Sequence, residues 1–271
     1  MSSFHGLWSV GAFFAALLGG LVANFVSPMA NLVVISTLSF FAYFWVTYNL
    51  LPPHLDGHLG DEGEELESKV PLKGKEAMIL WGLGFGLMCA LIPEGGSFDW
   101  SGILLQDHMD IGKGLNAAAA TVFSLAMIAS RLLGDRFFEK WGHVKTVQYG
   151  GFFGGGIWGL SLMIGIPLAD SHQMASLVIV CIGFGAAGFG MGPFFPAFNL
   201  AAASIPGVAP SVGLARIGMI AMASYFAGPT ISGGLAELTS LPIAFAFPIL
   251  LMMGAALQTR FIKVNRLSSE K

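Results

Sequence analysis

The feature that most limits this chain is a series of apolar stretches, each close to the length needed to cross a bilayer. A helix rising 1.5 Å per residue needs roughly 20 mostly apolar residues to span the hydrocarbon core. Eight stretches qualify: 4–25, 30–51, 77–93, 115–133, 147–168, 175–203, 212–235 and 241–261. Of the 271 residues 55% are hydrophobic and only 11% charged, which leaves too little polar surface for a soluble domain of this size. The expectation is an all-α integral membrane protein, a polytopic bundle of about eight transmembrane helices. The first stretch lacks a basic leader and a cleavage site, so it reads as a span and not as a signal peptide.

One connection is long and polar: "PPHLDGHLGDEGEELESKVPLKGKE", residues 52–76, whose acidic run reads as a solvated linker. With the C-terminal tail placed in the cytoplasm, counting back through eight spans puts four basic groups on that side. They are Lys69, Lys73 and Lys75; Arg131, Arg136, Lys140 and Lys145; Arg216; and Arg260, Lys263, Arg266 and Lys271. Of the 13 Lys and Arg residues only Lys113 is left outside. This asymmetry fits the positive-inside rule and places both termini in the cytoplasm, in the cytoplasmic (inner) membrane. A net charge of −3 offers nucleic acid no basic surface.

Several chemistries are missing. Cys89 and Cys181 sit inside apolar runs as small hydrophobes, without disulfide or metal-ligand spacing. "GFGAAG" at 183–188 matches G-x-G-x-x-G, but it lies within a span with no strand before it. Gly112-Lys113 is followed by Gly114, not Ser or Thr, which removes a Walker nucleotide site. No Gly-x-Ser-Gly nucleophile, metalloprotease motif or mid-span lysine occurs. The chain is therefore expected to be no enzyme and to hold no cofactor or metal. Small residues do recur at every fourth position, in Gly11–Ala15–Gly19, Gly82–Gly86, Gly150–Gly154 and Gly188–Gly192. That spacing lets helix backbones approach one another in lipid.

The chemically richest stretch is "PEGGSFDW", 93–100. As an external loop it would leave Glu94 and Asp99 solvated and make Trp100 an interfacial anchor. If the third span runs on to about Leu105, with a break at 93–96 headed by Pro93, Glu94 lies about 24 Å along it from Met78, inside a core about 30 Å thick. Carboxylates in the bilayer are costly and mark ion or proton pathways, and broken helices are common there in secondary transporters. Glu94 would bind and release a proton in each cycle, with Asp99 a second candidate. In "MGPFFPAFN", Pro193 and Pro196 remove backbone donors and bend the sixth span; Asn199 beyond them bonds freed carbonyls or lines a path. Gly228 and Pro229 make the same kind of bend in the seventh. Tyr225 midway along that span and Asn116 at the outer end of the fourth are further candidates for touching a solute.

The connection between the fourth and fifth spans reads "SRLLGDRFFEKWGHVK", 130–145. A short cytoplasmic turn with Gly, Asp-Arg, then a basic residue and Gly resembles the signature loop of the major facilitator superfamily. Gly134, Asp135, Arg136, Lys140 and Gly142 occupy the matching positions; Ser130 replaces a common opening glycine, and His143 a common Arg or Lys. The 52–76 linker resembles the loop joining the two six-helix halves of that family, and six spans follow it. "SSFHGLWSVGAFFAALLGG", "EGGSFDWSGILLQD" and "YFAGPTISGGLAE" look like the fifth, seventh and eleventh helices of bacterial facilitators distantly related to sugar symporters.

The resemblance covers essentially the whole chain and implies its layout. Residues 1–51 are the last two helices of an incomplete N-terminal bundle, 52–76 a cytoplasmic central linker, 77–262 the C-terminal six-helix bundle and 263–271 a cytoplasmic tail. The chain is then expected to begin at the family's fifth helix, lacking the first four. The resemblance favours the third span as one long, broken helix. It makes residues 134–142 a conformational gate, in which Asp135 faces the start of the first span near Ser2 and Ser3 when the cytoplasmic side is closed.

These readings point to a secondary active transporter: alternating access, a small polar solute, protons as coupling ion and the lipid bilayer as setting. A partner chain supplying the missing helices is a further expectation. The alternative is a transport-inactive membrane scaffold or regulatory fragment.

Overall fold

The computed structural model describes residues 2–22, 25–49 and 74–269, and the regular elements among them are all helical. Two helices come first, α1 (Ser2–Val22) and α2 (Pro28–Tyr48). Ser27 caps α2, its Oγ accepting the Ala30 amide at 3.2 Å, and Pro28 loses no partner in the first turn. No α2 residue is buried, although Phe40, Phe41, Phe44 and Trp45 are among its side chains. A helix apolar on all sides and bare of protein suits contact with lipid. The 52–76 linker lies outside the described residues except for its last three positions, as do the side chains of the 263–271 tail.

α3 (Lys75–Met109) runs 35 residues, about 52 Å at 1.5 Å per residue, and so outreaches the hydrocarbon core. The break expected at 93–96 is absent. Pro93 lies inside a helix with no non-helical residue, and Ser97 Oγ donates to the Pro93 carbonyl at 2.9 Å. Where no water competes for the neighbouring backbone bonds, one missing donor does not end a helix. "PEGGSFDW" is therefore neither a loop nor a break.

A 3-10 turn (Leu115–Ala117) leads into α4 (Ala118–Tyr149), and Gly150–Gly154, in π geometry, join it to α5 (Gly155–Leu168). The segment expected as a turn over 130–145 is mostly helix, and the reversal is concentrated at Gly142. Its φ of 74° and ψ of 163° are open to glycine and strained for other residues. Thr146 Oγ1 donates to the Phe137 carbonyl, nine positions earlier, at 3.1 Å, which requires the chain to have doubled back.

α6 (Gln173–Met191) and α7 (Phe194–Ala203) are parted by Gly192 and Pro193. Pro196 sits in the first turn of α7, where an amide has no helical acceptor, so the bend expected there is not its doing. α8 (Pro210–Met222) and α9 (Ser224–Leu238) part at Ala223. Gly228 and Pro229 lie within α9, contrary to the bend expected at them. Pro229 withdraws the donor owed to Tyr225, and the interruption falls just before that first turn. A short α10 (Leu241–Ala244) precedes α11 (Ala246–Ser269).

Among the described residues six helical stretches are long and apolar enough to cross a membrane; Leu115–Leu168 is the one folded at Gly142. The chain is an all-α polytopic membrane bundle. α3 is its centre, packed against α4, α6, α7, α8, α9 and α11, while α6 packs on α4 and α5, and α1 lies along α4. Leu83, Leu104, Phe123, Trp158, Phe184 and Phe198 are completely buried where these helices meet.

Candidate functional site

Two opposite charges meet inside the bundle. Glu94 lies in α3, between Lys75 and Met109 at its ends, and Arg131 lies in α4, between Ala118 and the reversal at Gly142. At 1.5 Å per residue both stand roughly 16–29 Å from either end of their helical segments, near mid-depth. Arg131 Nη2 is 3.7 Å from Glu94 Oε1, and the two side chains are only 5% and 10% exposed. That oxygen is buried and accepts no hydrogen bond. A charge-assisted N–H···O bond measures about 2.7–2.9 Å, so the attraction at Oε1 is Coulombic and the contact loose. Ions in a bilayer interior are expensive, and their presence marks pathways and switches more often than structural staples.

The backbone holds the pair from a third side. A Cβ on Gly192, at the break between α6 and α7, would stand 2.7 Å from the Ser130 side chain and 3.3 Å from the Arg131 amide nitrogen. Only hydrogen at that position lets the break close on the turn of α4 that carries the guanidinium.

Toward the Met109 end of α3, helical spacing puts Ser97 and Ser101 on the face of Glu94, and in α4 it puts Ser124 and Ala120 on the face of Arg131. All three serines are buried; Ser124 Oγ donates to the Ala120 carbonyl at 2.8 Å, and Ser101 Oγ has no partner. Phe98 and Phe123 meet edge to face with centroids 5.6 Å apart on the same seam. Beyond them α1, α3 and α4 form a groove of about 480 Å³, lined by Gly19, Gly20, Ser101, Asn116, Ala117 and Ala120, with Phe98 in its wall.

The other residues singled out by the sequence are dispersed. Asp99 is exposed, five positions beyond Glu94 and hence about 140° around the helix from it. Asn116 ties the loop before α4 to α3: its Oδ1 accepts the Gly114 amide and its Nδ2 donates to Gln106 Oε1, both at 3.2 Å. Asn199 donates to the Phe195 carbonyl of its own helix at 2.8 Å. Tyr225 is exposed in the first turn of α9. Asp135, Arg136 and Lys140 are exposed near the Gly142 reversal of α4, Gly134 is buried, and the Lys140 ammonium stands 5.3 Å from the centre of the Trp141 ring. The contact expected between Asp135 and Ser2 or Ser3 falls on side chains outside the described residues. Among the described residues no three His, Cys, Asp or Glu side chains converge on one point.

Arg131 is the residue that sequence reasoning misplaced. It was assigned to the cytoplasmic connection by charge, whereas it lies buried along α4. The signal was present: position 131 falls inside the apolar stretch 115–133, and a cation within a span calls for a partner in the bundle.

A family model described as Major Facilitator Superfamily matches residues 1–209. An uncharacterized MFS-type transporter of Yersinia pestis is 29% identical over 265 residues, 97% of this chain and 63% of that protein. An uncharacterized transporter of Sinorhizobium fredii is 28% identical over 90% of this chain and 60% of its own length. The membrane protein MosC of Rhizobium meliloti is 26% identical over 62% of this chain. The chain thus spans about three fifths of the length of the first two relatives. No solved structure matches it.

Proposed function

This chain belongs to the major facilitator superfamily, and from that premise we propose that it serves a secondary active transporter moving a small polar solute across the cytoplasmic membrane by alternating access, with protons as the driving ion. The activity is that of the whole transporter to which these residues belong. The observation that carries the reading is the Glu94–Arg131 pair, buried at mid-depth between two spans. Arginine keeps its charge at any accessible pH, so Glu94 is the member able to exchange a proton. Taking up a proton switches the pair from neutral to singly positive, and such a change biases which packing of the helices is favoured. Eight spans with both termini in the cytoplasm fit the distribution of basic residues, Arg131 now excepted. The exposed Asp135 and Arg136 at the cytoplasmic end of α4 act as the gate, binding partners in one arrangement and releasing them in the other.

The test is uptake into membrane vesicles under an inward proton gradient, using a mixture of polar metabolites read by mass spectrometry. At least one solute accumulates, a protonophore abolishes the accumulation, and Glu94→Gln loses it while inserting normally. Accumulation no greater than in vesicles without the protein would remove transport; accumulation unchanged in Glu94→Gln would move the coupling elsewhere.

A further inference from the structure

We propose that the flank of the bundle formed by α4, α5 and α6 holds one anionic phospholipid, an acyl chain lying in a groove and the phosphate beside Lys140 and Lys145. The site goes beyond the transport reading and stands apart from it. A groove of about 730 Å³ opens between α6 and the two arms of chain that meet at Gly142. No charged side chain lines it; its hydroxyl groups are those of Ser130, Thr146 and Tyr149, the first two buried. Gly150, Gly154, Gly185 and Gly190 add no side chains to it, and a Cβ on Gly150 would run into the Gly190 carbonyl, so helix backbones meet there. One wall is a chain of rings. Phe189 meets Phe137 with centroids 5.8 Å apart, Phe137 stacks on Trp141 at 5.4 Å, and Trp141 meets Tyr149 at 5.7 Å. Phe153 continues the chain, 6.1 Å from Tyr149.

Length selects the occupant. The reversal at Gly142 brings both arms to one membrane surface. From Trp141 the lining runs back along α4 to Ala126, about 22 Å at 1.5 Å per residue, and from Thr146 on to Ile157, about 16 Å. Half of the hydrocarbon core is about 15 Å. The groove thus extends from one surface to the mid-plane, the reach of an acyl chain in one leaflet. A helix about 10 Å across would displace roughly 1,250 Å³ over 16 Å, so a helix of a second copy would seat only partway. Rings of an ordinary interfacial belt sit at one depth, whereas these descend to Phe153, about 10 Å beyond Thr146 along its arm.

Charge selects the headgroup. Trp141 stands at the surface end of the groove, and Lys140 Nζ is 5.3 Å from the centre of its ring. At 100° per residue Lys140 lies about 60° around α4 from Phe137 and Arg136 about 100°, whereas the acids Asp135 and Glu139 each lie about 160° away from it. Lys145 is one turn before Tyr149, on the same face of the second arm. Both lysines are exposed, and among the described residues neither is paired with a carboxylate. A phosphodiester at this end meets cations, with the acids of the same turns on the opposite face. Lysine at a membrane surface favours a lipid of net negative charge over a zwitterionic one.

The test is native mass spectrometry of the purified chain in detergent, titrated with dioleoyl phosphatidylglycerol or dioleoyl phosphatidylcholine, which share acyl chains and differ in net charge. The wild type is expected to hold one phosphatidylglycerol at least ~10-fold more tightly than phosphatidylcholine, the scale of two lysines at an anionic headgroup. The double variant Lys140→Gln, Lys145→Gln binds the two lipids equally, and Ala186→Phe, which fills the groove, loses the tight adduct. Should Ala186→Phe fail to fold, Phe153→Ser takes its place: it breaks the ring wall at an exposed position and weakens the adduct. Equal binding of both lipids to the wild type overturns the inference, as does a preference surviving loss of both lysines or a tight adduct undiminished in the groove variants. A dimer holding no lipid would put a second copy in the groove and overturn it too. Each outcome leaves the reading of Glu94 as it stands.

Discussion

Glu94 and Arg131 form a single unit, and their energetics separate a paired site from two independent charges. Removing one partner of a buried ion pair strands the other and costs about 3–5 kcal/mol, whereas removing both leaves no stranded ion. Arg131→Gln is therefore expected to destabilise the protein more than the double variant Glu94→Gln, Arg131→Gln, with unfolding in detergent as the measurement. Losses of the two single variants that add up to that of the double would mean that the 3.7 Å contact carries no energy. Glu94 was legible in the sequence because a carboxylate flanked by apolar runs is conspicuous. Arg131 was not, because near a connection rich in basic residues its charge reads as an orientation signal. Only the helix register, which carries α4 on to Gly142, places it inside.

At the scale of helices, close backbone approach holds the central spans together. A Cβ on Gly188 would run into the Phe123 carbonyl across the α4–α6 seam, and one on Gly150 into the carbonyl of Gly190. Gly188→Ala is expected to destabilise by about 1–3 kcal/mol, as overpacking does, since a backbone atom cannot rotate away. Gly254→Ala, with nothing within 4 Å, is expected to cause no loss. Thermal unfolding of both variants in the same detergent decides, and equal midpoints would contradict the packing. The four-residue spacing in the sequence found three of the crowded pairs, Gly82–Gly86, Gly150–Gly154 and Gly188–Gly192. It misread the first span, where Gly11 and Gly19 have open space and, among the described glycines there, Gly20 packs against Ala117. Spacing identifies a face of small residues but not the neighbour that uses it. Of the helix interruptions, the one expected at Pro193 is found, between α6 and α7. A proline constrains the turn before it, so the Ala223 break ahead of Pro229 was accessible in principle, while Pro93, within a long apolar helix, is absorbed.

For the molecule as a whole, hydropathy made the membrane bundle legible, and the signature residues 134–142 made the family legible. What hydropathy could not supply was the extent of α3, because Glu94, Gly95, Gly96, Ser97 and Asp99 depress any average taken across them. Orientation makes its own prediction. A cysteine replacing Lys113 is expected to react with an impermeant maleimide added outside intact cells, and one replacing Lys140 only after the inner face is opened. Labelling of both from one side would reverse or discard the topology.

The central claim is that the acid of a mid-membrane ion pair exchanges a proton. Infrared difference spectroscopy across a pH step addresses it without knowledge of the solute, because a protonated carboxyl has a carbonyl band that a carboxylate lacks. The account predicts a carboxylic-acid band that appears on acidification, vanishes in Glu94→Gln and is displaced in Arg131→Gln. A wild-type spectrum indistinguishable from that of Glu94→Gln would show that Glu94 does not change its protonation across the step, and the pair would then be a fixed strut with no part in moving protons.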